Sequence, residues 1–179
     1  MSPHGWFSRD YEPVVSIDPG ESVSFSALNA GWSWDADVEP DRPEGEHVVP
    51  LGHARVARAG DDVTLIAYGA MVPVCESAAD GLDASCEIVD IRSLRPLDEE
   101  TILGSVAKTG RVVIVQEAPR TAGFAAELAA LIAERAIFDL QGPVLRVTGY
   151  DVPYPYWTLE DHYVPSAERV AAAARSLLQ

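Results

Sequence analysis

Imidazoles and thiols are the side chains most ready for metal or acid–base work near neutral pH, and the sequence holds few of them. The four histidines are His4, His47, His53 and His162. No two stand at His-x-His or His-x-x-x-His spacing, the spacings that let a strand or a helix aim a pair at one ion. Cys75 and Cys86 have no second pair and form no CxxC motif; they read as buried, reduced thiols, with a bridge between them left open. Among the carboxylates, Asp61-Asp62 reads as a turn and Asp98-Glu99-Glu100 as the start of a helix. Glu117 and the Asp90-Ile91-Arg92 run follow apolar strands, the place where α/β proteins put site residues. No nucleophile or base stands beside them, so structural pairing is the better reading. Gly-x-x-x-x-Gly-Lys-Ser/Thr, Gly-x-Gly-x-x-Gly after a strand and Gly-x-Ser-x-Gly are all absent. No catalytic, cofactor-binding or metal-binding residue is assigned.

The elements that would position such residues are regular from Val48 onward. Ala54–Ala57 reads as a weak strand, and Val63–Tyr68 as a continuous apolar run suited to a central strand covered on both faces. Pro73 fits a first helical turn before a short helix over Val74–Asp80. Cys86–Ile91 is the next strand. Asp98 caps a helix to about Lys108, stopped by Gly110, and Arg111–Gln116 is a second buried strand. Gly123–Ile137 is amphipathic, with Phe124, Leu128, Leu131 and Ile132 on one face. Leu145–Thr148 forms the last strand, and Ser166 caps a final helix with an Ala-rich apolar stripe. Between them, Asp151-Val152-Pro153-Tyr154-Pro155-Tyr156 must be a rigid extended loop, in which Val152–Pro153 or Tyr154–Pro155 is a candidate for a cis bond. Alternating strands and helices predict an α/β fold, a mostly parallel sheet with helices on both faces.

Residues 1–47 differ. They hold ten acidic and two basic side chains, show no sustained period and are rich in turn chemistry. They read as an extended acidic arm or linker, with Val14–Ile17 as an unpartnered strand and Trp32 and Trp34 in need of a surface to pack on. Across the chain the net charge is −15, which disfavours nucleic acid and anionic membranes and suits a basic protein partner. No run approaches the roughly 20 apolar residues of a membrane span, and the first residues lack the features of a secretion signal. A cytoplasmic protein is expected.

Four blocks, in order, carry a resemblance: Asp62–Val72, Val89–Asp98, Ala107–Arg120 (with Val-Val-Ile-Val-Gln-Glu-Ala-Pro-Arg) and Arg146–Tyr156 (Arg-Val-Thr-Gly-Tyr-Asp-Val-Pro-Tyr-Pro-Tyr). From about Val48 to Leu178 the chain resembles the second domain of the β subunit of the decarboxylating component of 2-oxo acid dehydrogenase complexes, of pyruvate, branched-chain 2-oxo acid or acetoin type. The resemblance implies a transketolase C-terminal-like domain over 48–179: three layers α/β/α, with a five-stranded mixed, mostly parallel sheet whose first strand is antiparallel. It also implies that the pyrimidine-binding domain, with the glutamate that activates thiamine, is missing. Thiamine diphosphate and magnesium would then belong to the intact complex, none being bound by this chain alone, which is expected to be inactive.

The family's domain joins the two β subunits, meets the α subunit, and docks the basic subunit-binding domain of the dihydrolipoyl acyltransferase. A homodimer is expected of the isolated chain. The partner-binding positions implied here are Phe124, Glu127, Asp139 and Gln141, and then Asp151, Tyr154, Tyr156 and the terminal Gln179. Gln141 stands where the family often has an acidic residue, with Asp139 two positions earlier. The rival reading is a free-standing acidic interaction or dimerisation module without dehydrogenase activity.

Overall fold

The run Val63–Ala67 is β-branched and apolar, and the computed structural model, which describes residues 49–155 and 159–179, buries all five of its residues. It is strand β2, at the centre of a five-stranded sheet of order β1-β3-β2-β4-β5. The partners are β1 (Arg55–Arg58), β3 (Cys86–Asp90), β4 (Val112–Pro119) and β5 (Leu145–Gly149). β1 runs antiparallel to β3, and the other three pairings are parallel. The fold expectation, five strands with an antiparallel first strand, holds, and Gly52–Gln179 closes as one compact unit. The arm, with Val14–Ile17, Trp32 and Trp34, lies outside the described residues, as does Tyr156.

Helices cover both faces because the strand period of two sends alternate side chains to opposite sides. Val63, Leu65, Val113 and Val115 face α1 (Met71–Asp80) and α5 (Ala167–Leu177) in one core. Ile66, Val112 and Ile114 face α2 (Glu99–Thr109) and α3 (Phe124–Arg135) in the other. Thr64, also fully buried, is satisfied under α2, its hydroxyl 2.7 Å from that of Thr109 and 3.1 Å from the Ser105 carbonyl. Both thiols are buried and unbridged, and loss of solvation pushes Cys75 up to about 12.

The boundaries shift in instructive ways. α1 begins at Met71, three residues early, and Pro73 sits in its first turn, where no helical N–H bond is required. β4 runs on to Pro119, because an irregularity after Val115 lets Pro119 pair with Gly149. α3 stops at Arg135, and a 3₁₀ turn covers Ile137–Asp139. A short helix, α4 (Glu160–Tyr163), has no counterpart in the expectations. The cis bond found among the described residues is Arg95–Pro96, neither of the two candidates after β5. No described helix is long and apolar enough to cross a membrane.

Candidate functional site

The residues singled out by sequence fall on two rims, at opposite ends of the sheet. At the carboxyl ends of the strands, Gln116 organises the loop that follows β4. It is fully buried, and its Oε1 accepts from the Ala125 amide at 2.6 Å. Its Nε2 donates to the carbonyls of Pro119 (2.8 Å) and Ala118 (3.2 Å). Gly123, at the N-cap of α3, has no side chain to cap the helix, so Gln116 serves that amide from the strand. A Cβ on Gly123 would stand 1.9 Å from Gln116 Nε2, which explains the glycine. Phe124 then lies half-buried, edge-on to Tyr68 with ring centroids 6.3 Å apart, while Glu127 is exposed in the same first turn.

Asp90 bears out structural pairing: Arg92 and Arg55 reach its Oδ2 at 3.5 and 3.9 Å. Glu117 does not, being exposed with no ion pair among the described residues. Two non-glycine residues hold left-handed backbone on this rim, Arg92 (φ 51°) and Ala122 (φ 59°), a conformation that costs energy for side-chain-bearing residues.

Asp151 tethers the loop after β5 to the loop after β4. Its carboxylate accepts from the Thr121 amide and hydroxyl, each at 2.8 Å, and these bonds hold the carboxyl below its ordinary value. Tyr154 donates to the Glu160 carboxylate, which pushes its phenol up to about 12. Its ring stands edge-on to Tyr163, 4.9 Å between centroids.

Sequence reasoning missed an arginine cluster that reaches from this rim along the edge strand β5. Arg120, Arg146 and Arg169, with Thr148, Gly149, Tyr150 and Asp151, border a cavity of about 260 Å³. Arg120 Nη1 donates to the Arg146 carbonyl (3.2 Å) and Arg146 Nη1 to the Arg120 carbonyl (3.3 Å). Arg169 Nη2 donates to the Thr148 carbonyl at 2.7 Å, and its guanidinium lies 4.7 Å from the Tyr150 ring centroid. The three come from separate elements, so no local spacing could have found them.

The amino rim gathers the other residues. Gly110 ends α2 in the left-handed region at φ 66°, and its carbonyl accepts from the Gln141 amide at 2.7 Å. Next to it, Arg111 Nε donates to the Leu177 carbonyl at 2.9 Å, and a Cβ on Gly142 would stand 3.4 Å from Leu177 Cδ2. Residues 139–142 and the end of α5 therefore meet here. Asp139 and Gln141 are exposed, and Gln179 borders a shallow cavity of about 290 Å³ with Leu82, Asp83 and Arg175. Beside them Ile137 is 53% exposed and Phe138 fully so. The pair is followed directly by the acidic side chain of Asp139.

Comparison with known proteins matches residues 52–170 to the family described as transketolase, C-terminal domain. The 2-oxoisovalerate dehydrogenase subunit beta of Pseudomonas aeruginosa is 45% identical over 146 residues, covering 82% of this chain and 41% of that one. The 3-methyl-2-oxobutanoate dehydrogenase subunit beta of Mycobacterium tuberculosis is 42% identical, covering 94% of this chain and 46% of its own. The pyruvate dehydrogenase E1 component subunit beta of Leifsonia xyli is 38% identical, covering 94% and 49%. This chain thus spans less than half the length of these relatives. A solved structure titled "Split gene transketolase, inactive beta4 tetramer" superposes with a TM-score of 0.62 at 31% identity, covering 71% of this chain and 41% of that one.

Proposed function

Because the chain belongs to the transketolase C-terminal domain family, we propose that it serves as the C-terminal domain of a thiamine-diphosphate-dependent 2-oxo acid dehydrogenase β subunit in the cytoplasm. Its part is association with the α subunit and a second β subunit, and docking of a basic acyltransferase subunit-binding domain. The assembled enzyme decarboxylates a 2-oxo acid and passes the acyl group to lipoyllysine. In it thiamine diphosphate supplies the carbanion stabilisation that no amino-acid side chain offers. The described residues do not fit that cofactor with its magnesium. No group of three His, Cys, Asp or Glu among them converges on a metal-sized space that could hold the magnesium.

The observation that carries the docking reading is the amino rim. Exposed Ile137 and Phe138 stand with Asp139 and Gln141 beside the end of α5, an apolar centre flanked by one carboxylate on a chain of net charge −15. The test is calorimetric titration of the 179-residue chain with a basic subunit-binding domain. Phe138→Ser should weaken the complex about tenfold or more, the range of an aromatic anchor, and Asp139→Lys should slow association at low salt. No complex, or full affinity in both variants, refutes docking at this rim.

The solved relative whose title reports an inactive β4 tetramer supports two companion readings. The isolated chain self-associates, and it lacks 2-oxo acid turnover when given thiamine diphosphate and magnesium. Turnover by the purified chain would overturn the second. The same title is what favours the rival, a self-associating acidic module; a stable oligomer that ignores every dehydrogenase subunit would decide for it.

A further inference from the structure

We propose that the cavity between Arg120, Arg146 and Arg169 is a binding site for a phosphate-type oxyanion. The first ground is charge. On a chain of net charge −15, three arginines border one cavity of about 260 Å³, and Asp151 is the one acidic residue on its border among the described residues. Both oxygens of Asp151 are already engaged by Thr121. None of the three arginines takes part in an ion pair among the described residues. Three cations with one carboxylate between them keep a net positive charge of two and repel one another, and a bound anion reduces that repulsion.

The second ground is preorganisation. Each guanidinium is held by a backbone carbonyl: Arg120 by that of Arg146, Arg146 by that of Arg120, and Arg169 by that of Thr148. Arg169 is further fixed against the Tyr150 ring. One bond each leaves most of the five N–H donors of a guanidinium unspent, and Arg169 Nη1 is buried with no acceptor among the described residues. Charged donors already fixed in place lose little freedom on binding.

The class of ligand follows from the donors. A planar fork pairs with two oxygens at once, and a tetrahedral oxyanion of charge two or more offers oxygens to several forks together, whereas one carboxylate serves one fork. The cavity is several times the roughly 30 Å³ share of a water molecule, room for phosphate or diphosphate. With one tethered carboxylate and no metal cluster among the described residues, the anion binds without a divalent cation. This reading uses the rim opposite to the docking surface and does not depend on it.

The test is calorimetry and ³¹P resonance shift on the 179-residue chain in EDTA at fixed ionic strength. Separate arms contain inorganic phosphate, pyrophosphate, ADP and citrate. Saturable one-to-one binding of pyrophosphate is expected. Equal affinity for ADP assigns free phosphate chemistry; tighter ADP assigns a phosphate carried by a nucleotide. Arg120→Gln should weaken binding about tenfold or more, the value of a charge-assisted hydrogen bond, and Arg120→Lys should lose less. Arg146→Gln should act likewise. If that variant unfolds, Arg120→Gln decides alone, because Arg120 is exposed and gives up one surface bond. Binding of citrate without phosphate, no saturable binding, or binding unchanged by Arg120→Gln overturns the proposal.

Discussion

Replacing Gln116 by Leu removes the polar end of a fully buried side chain while keeping nearly its volume, so the response measures hydrogen bonding more than packing. Four bonds disappear, at 2.6, 2.8, 3.2 and 3.5 Å, the longest from the half-buried Tyr68 hydroxyl, which can turn to water. The Ala125 amide is left buried without an acceptor, at a cost of about 1–3 kcal/mol. The Ala118 and Pro119 carbonyls lie nearer solvent and lose about 0.5–1 kcal/mol each at most, since water replaces the donor. The total is about 2–5 kcal/mol, a large share of a stability of about 5–15 kcal/mol. In urea, with a slope of about 1–3 kcal/mol/M for a domain of this size, the midpoint should fall by roughly 1–2 M at constant slope. Hydrogen exchange adds a local signature. The amides of Ala125 and Ala126, at the start of α3, should lose protection beyond the global loss, while those of α5 should not. A midpoint within error of the parent, or uniform loss across α3 and α5, refutes the view that Gln116 caps α3 from the strand.

Asp98 should set part of the acid limb of stability. It accepts from the Thr101 amide and hydroxyl and from the Ala54 amide. Burial opposes its charge, but those bonds and nearby His53 prevail and hold the carboxyl below its ordinary value. A depressed folded value contributes stability that is present above the unfolded value, about 3.9, and lost as pH falls through the folded one. Asp98→Asn should therefore flatten the decline below about pH 4, and Asp98→Ala should cost about 1–2 kcal/mol at pH 7 by loss of the cap. An unchanged acid limb in urea titrations would dispose of the first claim. Lys108, the single lysine, meets the Glu87 carboxylate, whose side chain is 4% exposed. Lys108→Met should cost about 2 kcal/mol, discounted from buried-pair values because the lysine is 40% exposed. Adding Glu87→Gln should restore most of it, and a neutral single variant in thermal unfolding would count against the pairing.

The fold was readable because its signals are local. Val63–Ala67 and Val112–Val115 are β-branched runs, Asp98 and Ser166 cap from their own side chains, and Gly110 stops a helix by its freedom at positive φ. The start of α1 was misjudged because proline is tolerated throughout a first turn, so Pro73 marks a turn and not a residue. The end of β4 was misjudged because a non-local pairing, Pro119 with Gly149, overrides a proline that reads as a stop. The site followed the same rule. Asp151 and Tyr154 stand out in a proline-rich run, whereas the arginine cavity and the Gln116 cap assemble from residues that share no segment. Phe138 carried no local mark either; only the 3₁₀ turn after α3 shows that an apolar side chain is turned fully outward.

The two rims should act independently in physiological salt. The two ends of β4, eight residues long, lie about 25 Å apart at about 3.3 Å per residue, and the arginine cavity extends from the carboxyl end back to Arg146, the pairing partner of Ile114. The carboxyl end of the cavity is thus some three Debye lengths from the amino rim, at about 8 Å each in 0.15 M salt. Val112–Gln116, between them, is entirely buried in the close-packed core, so a shift at one end would have to repack that core to reach the other. Saturating the arginine cavity with pyrophosphate should therefore change the affinity of the amino rim for a basic subunit-binding domain by less than about twofold, a coupling under about 0.4 kcal/mol. Lowering the salt to 0.01 M stretches the Debye length to about 30 Å, and only then should the added negative charge tighten the basic partner. The measurement is paired calorimetry, with and without pyrophosphate, at both ionic strengths. A tenfold effect that persists at 0.15 M salt would mean that the rims are linked by a change of conformation, and the description of β4 as a rigid spacer would fail.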